Sequence, residues 1–295
     1  MRPALFGTML LLSATTATAQ PKLKVHISAD MEGVVGAVTR QQMGPKGFEY
    51  EQSREFMTKE VLAAIAGARA AGATEILVAD SHGNGQNLLM KELPEDIQLV
   101  RSWPRALGMM QGIDETFDAA IFIGYHSSAS NPKGVAAHTY TGVWTDVKLN
   151  SVSVPEAALN AAIAGHFGVP VVMISGDDAI IDEARSLLGN IEGAIVKWNY
   201  GESAARTLMP EAASKLIREK VEKAIGRLGD FKPYVLEKPV RVDMSFSTAL
   251  PAETLAFLPS IERTGSHSIR FIAEDMVAVA KFFEFVSLYR PESAS

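Results

Sequence analysis

The chain has 295 residues, of which 47% are apolar and 21% are charged, a composition typical of a globular protein with a sizeable core. This composition excludes a disordered chain, a collagen and a disulfide-rich scaffold. The formal net charge is −6 and there is no cysteine. Proteins that bind nucleic acid usually carry a basic face, so no nucleic-acid partner is expected. The lack of cysteine excludes disulfides, thiolate-bound zinc and a cysteine nucleophile.

Residues 1–19 are typical of a secretory signal peptide. Arg2 supplies a positive end, residues 4–12 form a short apolar stretch, and Ala17 and Ala19 form a small-x-small cleavage site. The alternative is a buried N-terminal helix. We expect an exported protein, with the periplasm as its compartment. No other stretch reaches roughly 18 uncharged apolar residues, so no membrane span is expected.

Residues 20–200 predict one α/β domain. The alternating stretch 23–29 predicts a strand, and apolar residues at helical spacing over 51–71 predict a helix that ends before Gly72. Further strands are predicted at 75–79, 118–124 and 169–175, and further helices at 155–167 and 180–188. Short apolar strands that alternate with helices indicate a three-layer sandwich around a mainly parallel sheet.

Residues 201–295 predict a smaller C-terminal α+β segment whose role is packing and assembly. The composition changes over 198–235, where a charged amphipathic helix is followed by a stretch interrupted by prolines. The predicted elements are helices at 210–228, 251–258 and 275–288, and strands at 240–246 and 268–273. No residue of this segment from about Phe231 onward suggests chemistry.

Ionisable residues follow the predicted strands, at the edge where open α/β sheets place their sites. Asp30 and Glu32 follow the first strand at positions i and i+2, so that in extended geometry both carboxylates face the same way. Two like charges side by side are costly without a cation, which favours a divalent metal. The alternative is a solvated loop in which Asp30 serves as a turn or cap residue.

Histidines follow two other strands. His82 lies just after the strand at 75–79, with Asp80 as a ligand or as its orienting partner. His126 ends the strand at 118–124, although a lone histidine is more often a surface or core residue. His138 follows twelve residues later and needs a loop to bring it back.

Glu156 has a strong structural explanation. Ser153 and Glu156 have the spacing of a capping box, and Pro155 suits the first turn of a helix. Spacing alone therefore does not predict that Glu156 binds metal. Asp177 is similarly placed to cap the helix that follows it.

Carboxylates and histidines from separate strand ends, without cysteine, suit two adjacent zinc ions bridged by a carboxylate. The residues by themselves indicate only a metallohydrolase. Two alternatives stay open at this point. One is another dinuclear-metal hydrolase, either an L-peptidase or a phosphoesterase. The other is a non-catalytic exported protein that binds metal or peptide.

The order of the motifs carries a more specific signal. SADMEG, ADSH, GYH, GVAAH and PEAALN follow one another within residues 23–290, and together they resemble the DppA-type D-aminopeptidases, which are self-compartmentalising zinc peptidases. The resemblance implies two zinc ions per chain, bridged by Asp30. It implies His138 as the catalytic residue, acting as nucleophile or base, and Asp80 as an acidic neighbour that orients the ligands. The further zinc ligands that it implies are Glu32, His82, His126 and Glu156.

The same resemblance implies removal of N-terminal D-residues, D-Ala above all, from short peptides by a homodecamer of two stacked five-membered rings. This chain departs from the pattern in the loop 127–134, which carries about one additional residue. We expect that loop to border the site and to influence substrate preference. The signal peptide is a second departure, and in the periplasm the substrates would be D-Ala-containing peptides derived from peptidoglycan.

Overall fold

The structure of the protein is a computed structural model that describes residues 22–289. The signal peptide predicted at residues 1–19 lies outside the described residues. The strands are β1 (Lys24–Ala29), β2 (Glu75–Asp80), β3 (Gln98–Val100), β4 (Ala119–Tyr125), β5 (Trp144–Leu149), β6 (Val152–Ser153), β7 (Val171–Asp177), β8 (Glu192–Gly201), β9 (Ala204–Thr207), β10 (Val240–Phe246), β11 (Ile261–Arg263) and β12 (Ser268–Ala273). The helices are α1 (Tyr50–Ala70), α2 (Glu156–His166), α3 (Asp178–Leu188), α4 (Pro210–Ile225), α5 (Ala249–Leu255) and α6 (Met276–Leu288).

The larger sheet has seven strands in the order β3-β2-β1-β4-β7-β8-β9. All neighbours pair in parallel except β9, which runs antiparallel to β8. This confirms the predicted α/β class with a mainly parallel sheet. The order reverses between β1 and β4, since the chain proceeds from β1 to β2 on one side and later to β4 on the other.

Helices cover both faces of this sheet because side chains alternate along its buried strands. In β4, Ile121 and Ile123 pack into the core beneath α1 and α4. Phe122 points to the opposite face and packs with α2 and α3. At β4 both cores are apolar, which accounts for the continuous hydrophobic run of this strand in the sequence.

The smaller sheet is antiparallel, in the order β11-β12-β10-β5-β6, and packs with α6. Its strands β5 and β6 belong to the segment 20–200 in sequence. They nevertheless join the smaller sheet, where β5 pairs with β10 and buries Val147 and Leu149. Conversely, β9 and α4 complete the larger sheet and its helical cover. The division between the sheets therefore does not follow a boundary near residue 200. That residues 201–295 serve assembly stays a prediction.

The predicted elements match those observed to within a few residues, while several strands had no prediction. The unpredicted strands are β3, β5, β6, β8, β9 and β11. Most of these are short or carry mixed polar and apolar residues, so their periodicity is weak. Within residues 22–289, no helix is both long and apolar enough to cross a membrane.

Candidate metal centre

The candidate site lies where the strand order reverses. The chain leaves β1 towards β2 and β3 on one side, while β4, β7 and β8 lie on the other. The chain therefore leaves β1 and β4 towards opposite sides of the sheet, and the point of reversal is where open α/β sheets bind ligands. Asp30 follows β1, His82 follows β2, and His126 follows β4. Three neighbouring strands thus deliver three ionisable side chains to one place.

Two glycines allow the loops after β1 and β4 to touch. The Asp30 amide donates to the Ile123 carbonyl at 2.8 Å, and the Gly33 amide donates to the Gly124 carbonyl at 2.7 Å. A side chain on Gly33 would overlap the Tyr125 carbonyl. Gly124 has φ +70°, and a side chain there would overlap the Asp30 carbonyl. The close approach of these backbones brings Asp30 next to His126.

The structure brings together the five side chains that the resemblance implies as ligands. His82 Nδ1 lies 2.8 Å from Glu32 Oε2 and 3.1 Å from Asp30 Oδ1. His126 Nε2 lies 3.4 Å from both Asp30 Oδ2 and Glu156 Oε1. All five side chains are buried. Whether each of them is a ligand stays a prediction.

Each histidine of the site uses one ring nitrogen to contact a backbone carbonyl. A carbonyl only accepts, so that nitrogen carries a proton, and the other nitrogen faces the carboxylates, where it can bind a metal once it has lost its own proton. Hydrogen bonds of this kind orient metal-bound histidines. The contacts are His82 Nε2 with Met43 O at 2.6 Å, His126 Nδ1 with Ser127 O at 3.0 Å, and His138 Nδ1 with Ala136 O at 3.0 Å.

The donor atoms fall into two overlapping groups that could each hold a metal ion. Asp30, Glu32 and His126 form one group, and His126, His138 and Glu156 form the other, with donor atoms within 4.8 Å of one another in each. Among the residues that the structure describes, His126 Nε2 is buried without a hydrogen-bond partner. Such an atom fits a metal, and the set of imidazoles and carboxylates fits zinc. The geometry alone leaves His138 either as a ligand or as a free base.

The electrostatics of the site favour positive charge between the carboxylates. Burial, together with the charge of Glu32, raises the pKa of Asp30. Burial works against charge on the histidines as well, yet Glu32 and Asp30 raise the pKa of His82 well above its usual value. Glu156 and Asp30 do the same to the pKa of His126. Burial opposes ionisation of Glu32 too, but His82 and the other histidines hold its pKa well below the usual value.

His138 reaches the site on the loop between β4 and β5. Its ring stacks on that of His126, with centroids 4.1 Å apart and planes 6° from parallel. Its Nε2 lies 3.9 Å from Glu32 Oε1. Asp177 anchors the loop by accepting the Val135 amide at 2.7 Å, and it also caps α3 through the Ile180 amide, which confirms the predicted cap.

Glu156 does not form the capping box that its spacing indicated. Pro155 is the N-cap residue of α2, and within residues 22–289 no side-chain hydrogen bond caps this helix. Instead, Glu156 Oε1 accepts the Tyr140 amide at 2.6 Å and faces His126. The capping interpretation is therefore wrong, because a long-range partner on the His138 loop outcompetes the local one. Sequence spacing carries no signal for that partner.

Asp80 faces away from the carboxylates and closes the loop that carries His82. Its carboxylate accepts the Asn87 amide at 2.6 Å, the Asn87 side chain at 2.7 Å and the Leu88 amide at 2.8 Å. The Asn87 side chain also donates to the His82 carbonyl at 2.6 Å. Asp80 thus acts on His82 through Asn87. Asn87 was not predicted as part of the site, and it follows the Gly83-Asn84-Gly85 turn by two residues.

A cleft of about 200 Å³ opens above the site. Trp103 and Met109 form part of its wall, and α6 contributes Glu284, Ser287 and Leu288. The C-terminal segment, to which the sequence assigned no chemistry, therefore shapes the site. Of the described residues that line this cleft, none is Lys or Arg.

The loop 127–134 borders the site through Ser127, whose carbonyl contacts His126 Nδ1 at 3.0 Å, but none of its residues lines the cleft. Its residues Ser128 and Asn131 instead hydrogen-bond to the carboxylate of Glu183 on α3. The influence of this loop on substrate preference stays a prediction.

Comparison with known proteins gives consistent matches over most of the chain. The sequence model of peptidase family M55, described as D-aminopeptidase, matches residues 23–285. A D-aminopeptidase of Bacillus subtilis (strain 168) is 35% identical over 257 residues, which cover 86% of this chain and 93% of that protein. The solved structure of the zinc-dependent D-aminopeptidase DppA from Bacillus subtilis, a self-compartmentalizing protease, superposes with a TM-score of 0.87 at 32% identity. That match covers 91% of this chain and 99% of the other.

Replacing Asp80 by alanine tests its effect on His82. The substitution removes three hydrogen bonds that close the loop 80–88. We expect the metal affinity of the folded protein to fall about 10–100-fold, the usual cost of losing an outer partner of a ligand. The measurement is competition for zinc against a chromogenic chelator.

Asp118→Ala is the matched control, because Asp118 accepts the Lys24 amide at 2.7 Å at the opposite end of β1. It should leave metal affinity unchanged. An Asp80→Ala protein that is folded and binds metal as tightly as the wild type would show that Asp80 does not orient His82.

Proposed function

The chain belongs to the D-aminopeptidases of peptidase family M55, and on that premise we propose that it releases N-terminal D-amino acids, D-Ala above all, from short peptides. The coarser statement follows from the family and its relatives: the protein is a zinc-dependent hydrolase. The specific substrate and the presence of two zinc ions per chain are our proposal. The observation that carries the two-ion site is His126 Nε2, which is buried without a hydrogen-bond partner and lies 3.4 Å from both Asp30 Oδ2 and Glu156 Oε1.

We assign the zinc ligands as Asp30, Glu32, His82, His126 and Glu156, with Asp30 as the bridge. His126 belongs to both donor groups, and the two oxygens of Asp30 face different histidines, His82 and His126. A carboxylate with one oxygen on each side is suited to bridge two cations. Zinc held by this set supplies Lewis acidity that polarises the scissile carbonyl and lowers the pKa of water.

In this proposal His138 is the proton carrier. Its Nδ1–H is held by the Ala136 carbonyl, so its free Nε2 faces Glu32 and the cleft. Nε2 accepts a proton from the attacking water and passes it to the leaving amine. The carboxylate of Glu32, 3.9 Å away, stabilises the imidazolium that forms between these two transfers. This role leaves His138 outside the ligand set.

The charge of the cleft supports a substrate with a free amine. Asp30, Glu32, Glu156 and Glu284 line it, with no described Lys or Arg beside them. Once the first three hold zinc, Glu284 is left as the carboxylate that can pair with the α-ammonium of a peptide, and the described lining residues offer no Lys or Arg to clamp a phosphate. This argues against the phosphoesterase alternative. The lining does not distinguish D- from L-residues, so that part of the proposal depends on family membership.

The variants Asp30→Ala and His138→Ala test which of the two residues binds zinc and which only carries a proton. We expect Asp30→Ala to lose zinc and activity together, since the bridging carboxylate is gone. His138→Ala should retain zinc while kcat falls about 10²–10⁴-fold, the usual contribution of a general acid-base. Zinc counted by elemental analysis and kcat measured on the same samples make the comparison. Loss of zinc from His138→Ala would identify His138 as a ligand instead.

A substrate panel tests the reaction itself. The purified zinc-loaded protein is incubated with D-Ala-D-Ala, L-Ala-L-Ala and a phosphodiester, and the released products are quantified. We expect turnover of the D-peptide alone. Turnover of only the L-peptide or the phosphodiester would leave the metal site standing and overturn the assigned substrate.

We also propose that the protein is exported to the periplasm and assembles as a homodecamer. The signal-like residues 1–19 support export, and the self-compartmentalizing relative supports assembly. Native mass spectrometry of protein recovered from the periplasm of a secreting host checks both. We expect ten copies of a chain that begins at Gln20. An intact N-terminus or a monomer mass would contradict the respective proposal.

A further inference from the structure

Lys197 is a buried cation that has no role in the proposed reaction or in metal binding as described so far. It lies on β8, in register with Asp177 at the end of β7, and its side chain has no exposure to solvent. Its Nζ donates to three backbone carbonyls, those of Glu32, Val34 and Ala37. All three belong to residues 32–37, called the Glu32 loop below.

The rest of the Glu32 loop is held by other long-range contacts. The Val35 amide donates to Glu60 Oε1 of α1 at 2.8 Å, and the Gly36 amide donates to Thr207 Oγ1 of β9 at 3.1 Å. These two contacts satisfy N–H groups, and Gln42 Nε2 donates to the Gly36 carbonyl at 3.1 Å. Lys197 donates to three further carbonyls of the loop, one of which is that of Glu32 itself.

We propose that Lys197 is a positioning residue for zinc binding, which fixes the backbone from which the Glu32 carboxylate reaches the metal centre. This inference rests on the proposed role of Glu32 as a zinc ligand. An ammonium group has three N–H donors and no acceptor, which matches three converging carbonyl oxygens. Unlike a neutral donor, it also offsets the partial negative charge that these carbonyls concentrate in a dry interior.

The neighbourhood of Lys197 connects it to both sides of the site. Burial lowers the pKa of Lys197 to about 8, and the negative charges of its register partner Asp177 and of Glu60 oppose that shift. Asp177 accepts the Val135 amide on the loop that carries His138, and Glu60 accepts the Val35 amide of the Glu32 loop. One buried cluster therefore braces the backbone on both sides of the 3.9 Å gap between Glu32 and His138.

Lys197→Met tests the proposal because it keeps an apolar stem of similar length and removes all three donors. We expect the zinc affinity of the folded protein to fall about tenfold or more, the range seen when an orienting partner of a ligand is lost. Affinity is measured by competition with a chromogenic chelator, and the melting temperature of the metal-free protein is recorded in parallel. A purely structural role would lower the melting temperature without changing zinc affinity.

Lys220→Met is the matched control. Lys220 lies on α4 and pairs with Glu192 at 3.1 Å. Glu192 is the first residue of β8, at the end of the strand opposite to the metal centre. The same substitution there should leave zinc affinity unchanged. Glu32→Ala is the reference for loss of the ligand.

Lys197→Met also leaves Glu60 without its counter-charge and can prevent folding. The double variant Lys197→Met/Glu60→Gln removes that charge and keeps a side-chain carbonyl for the Val35 amide. It is compared with Glu60→Gln alone, and it should show the same loss of zinc affinity.

Three outcomes decide the matter. Weaker zinc binding by Lys197→Met or by the double variant, with Lys220→Met unaffected, supports the inference. Wild-type zinc affinity in these variants, while Glu32→Ala loses zinc, overturns the inference and leaves the proposed function intact. If Glu32→Ala retains wild-type zinc affinity, the proposed ligand set fails and the inference fails with it.

Discussion

Three buried carboxylates meet where the strand order of the large sheet reverses, and they need positive charge between them. Asp30, Glu32 and Glu156 are each at least nine-tenths buried. Like charges in a dry site are costly unless a cation lies among them. The raised pKa values of His82 and His126 are one response to that demand. Zinc, on which the solved relative depends, meets the same demand with two charges per ion.

The surrounding structure serves to hold these groups in place. Gly33 and Gly124 let two loop backbones touch, so that Asp30 and His126 come from adjacent strands without intervening side chains. Backbone carbonyls orient each histidine ring. The lysine that gathers three carbonyls of the Glu32 loop belongs to the same framework. Polar groups that lie beyond the ligands therefore hold the buried charged side chains of the site in position.

The site could be predicted in part because parallel strands end together. Asp30, His82 and His126 each follow an apolar strand, and adjacent strand ends place them within contact of one another. Glu156 and His138 were different. Glu156 looked like a helix cap, and only the amide of Tyr140, 16 residues away, turns it towards the metal centre. His138 depends on a loop whose path is fixed by Asp177, which lies on another strand.

The sequence by itself determined the α/β class, the main strands and helices, and the chemistry available to the site. Those properties follow from local periodicity and from residue types, which are written in the order of the chain. Tertiary structure decided the pairing of β5 with β10, the contribution of α6 to the cleft and the burial of Lys197 beneath the Glu32 loop. Each of these joins segments about 90 to 260 residues apart, and their partners are selected by packing and by the need to satisfy buried polar groups. No local pattern encodes that choice.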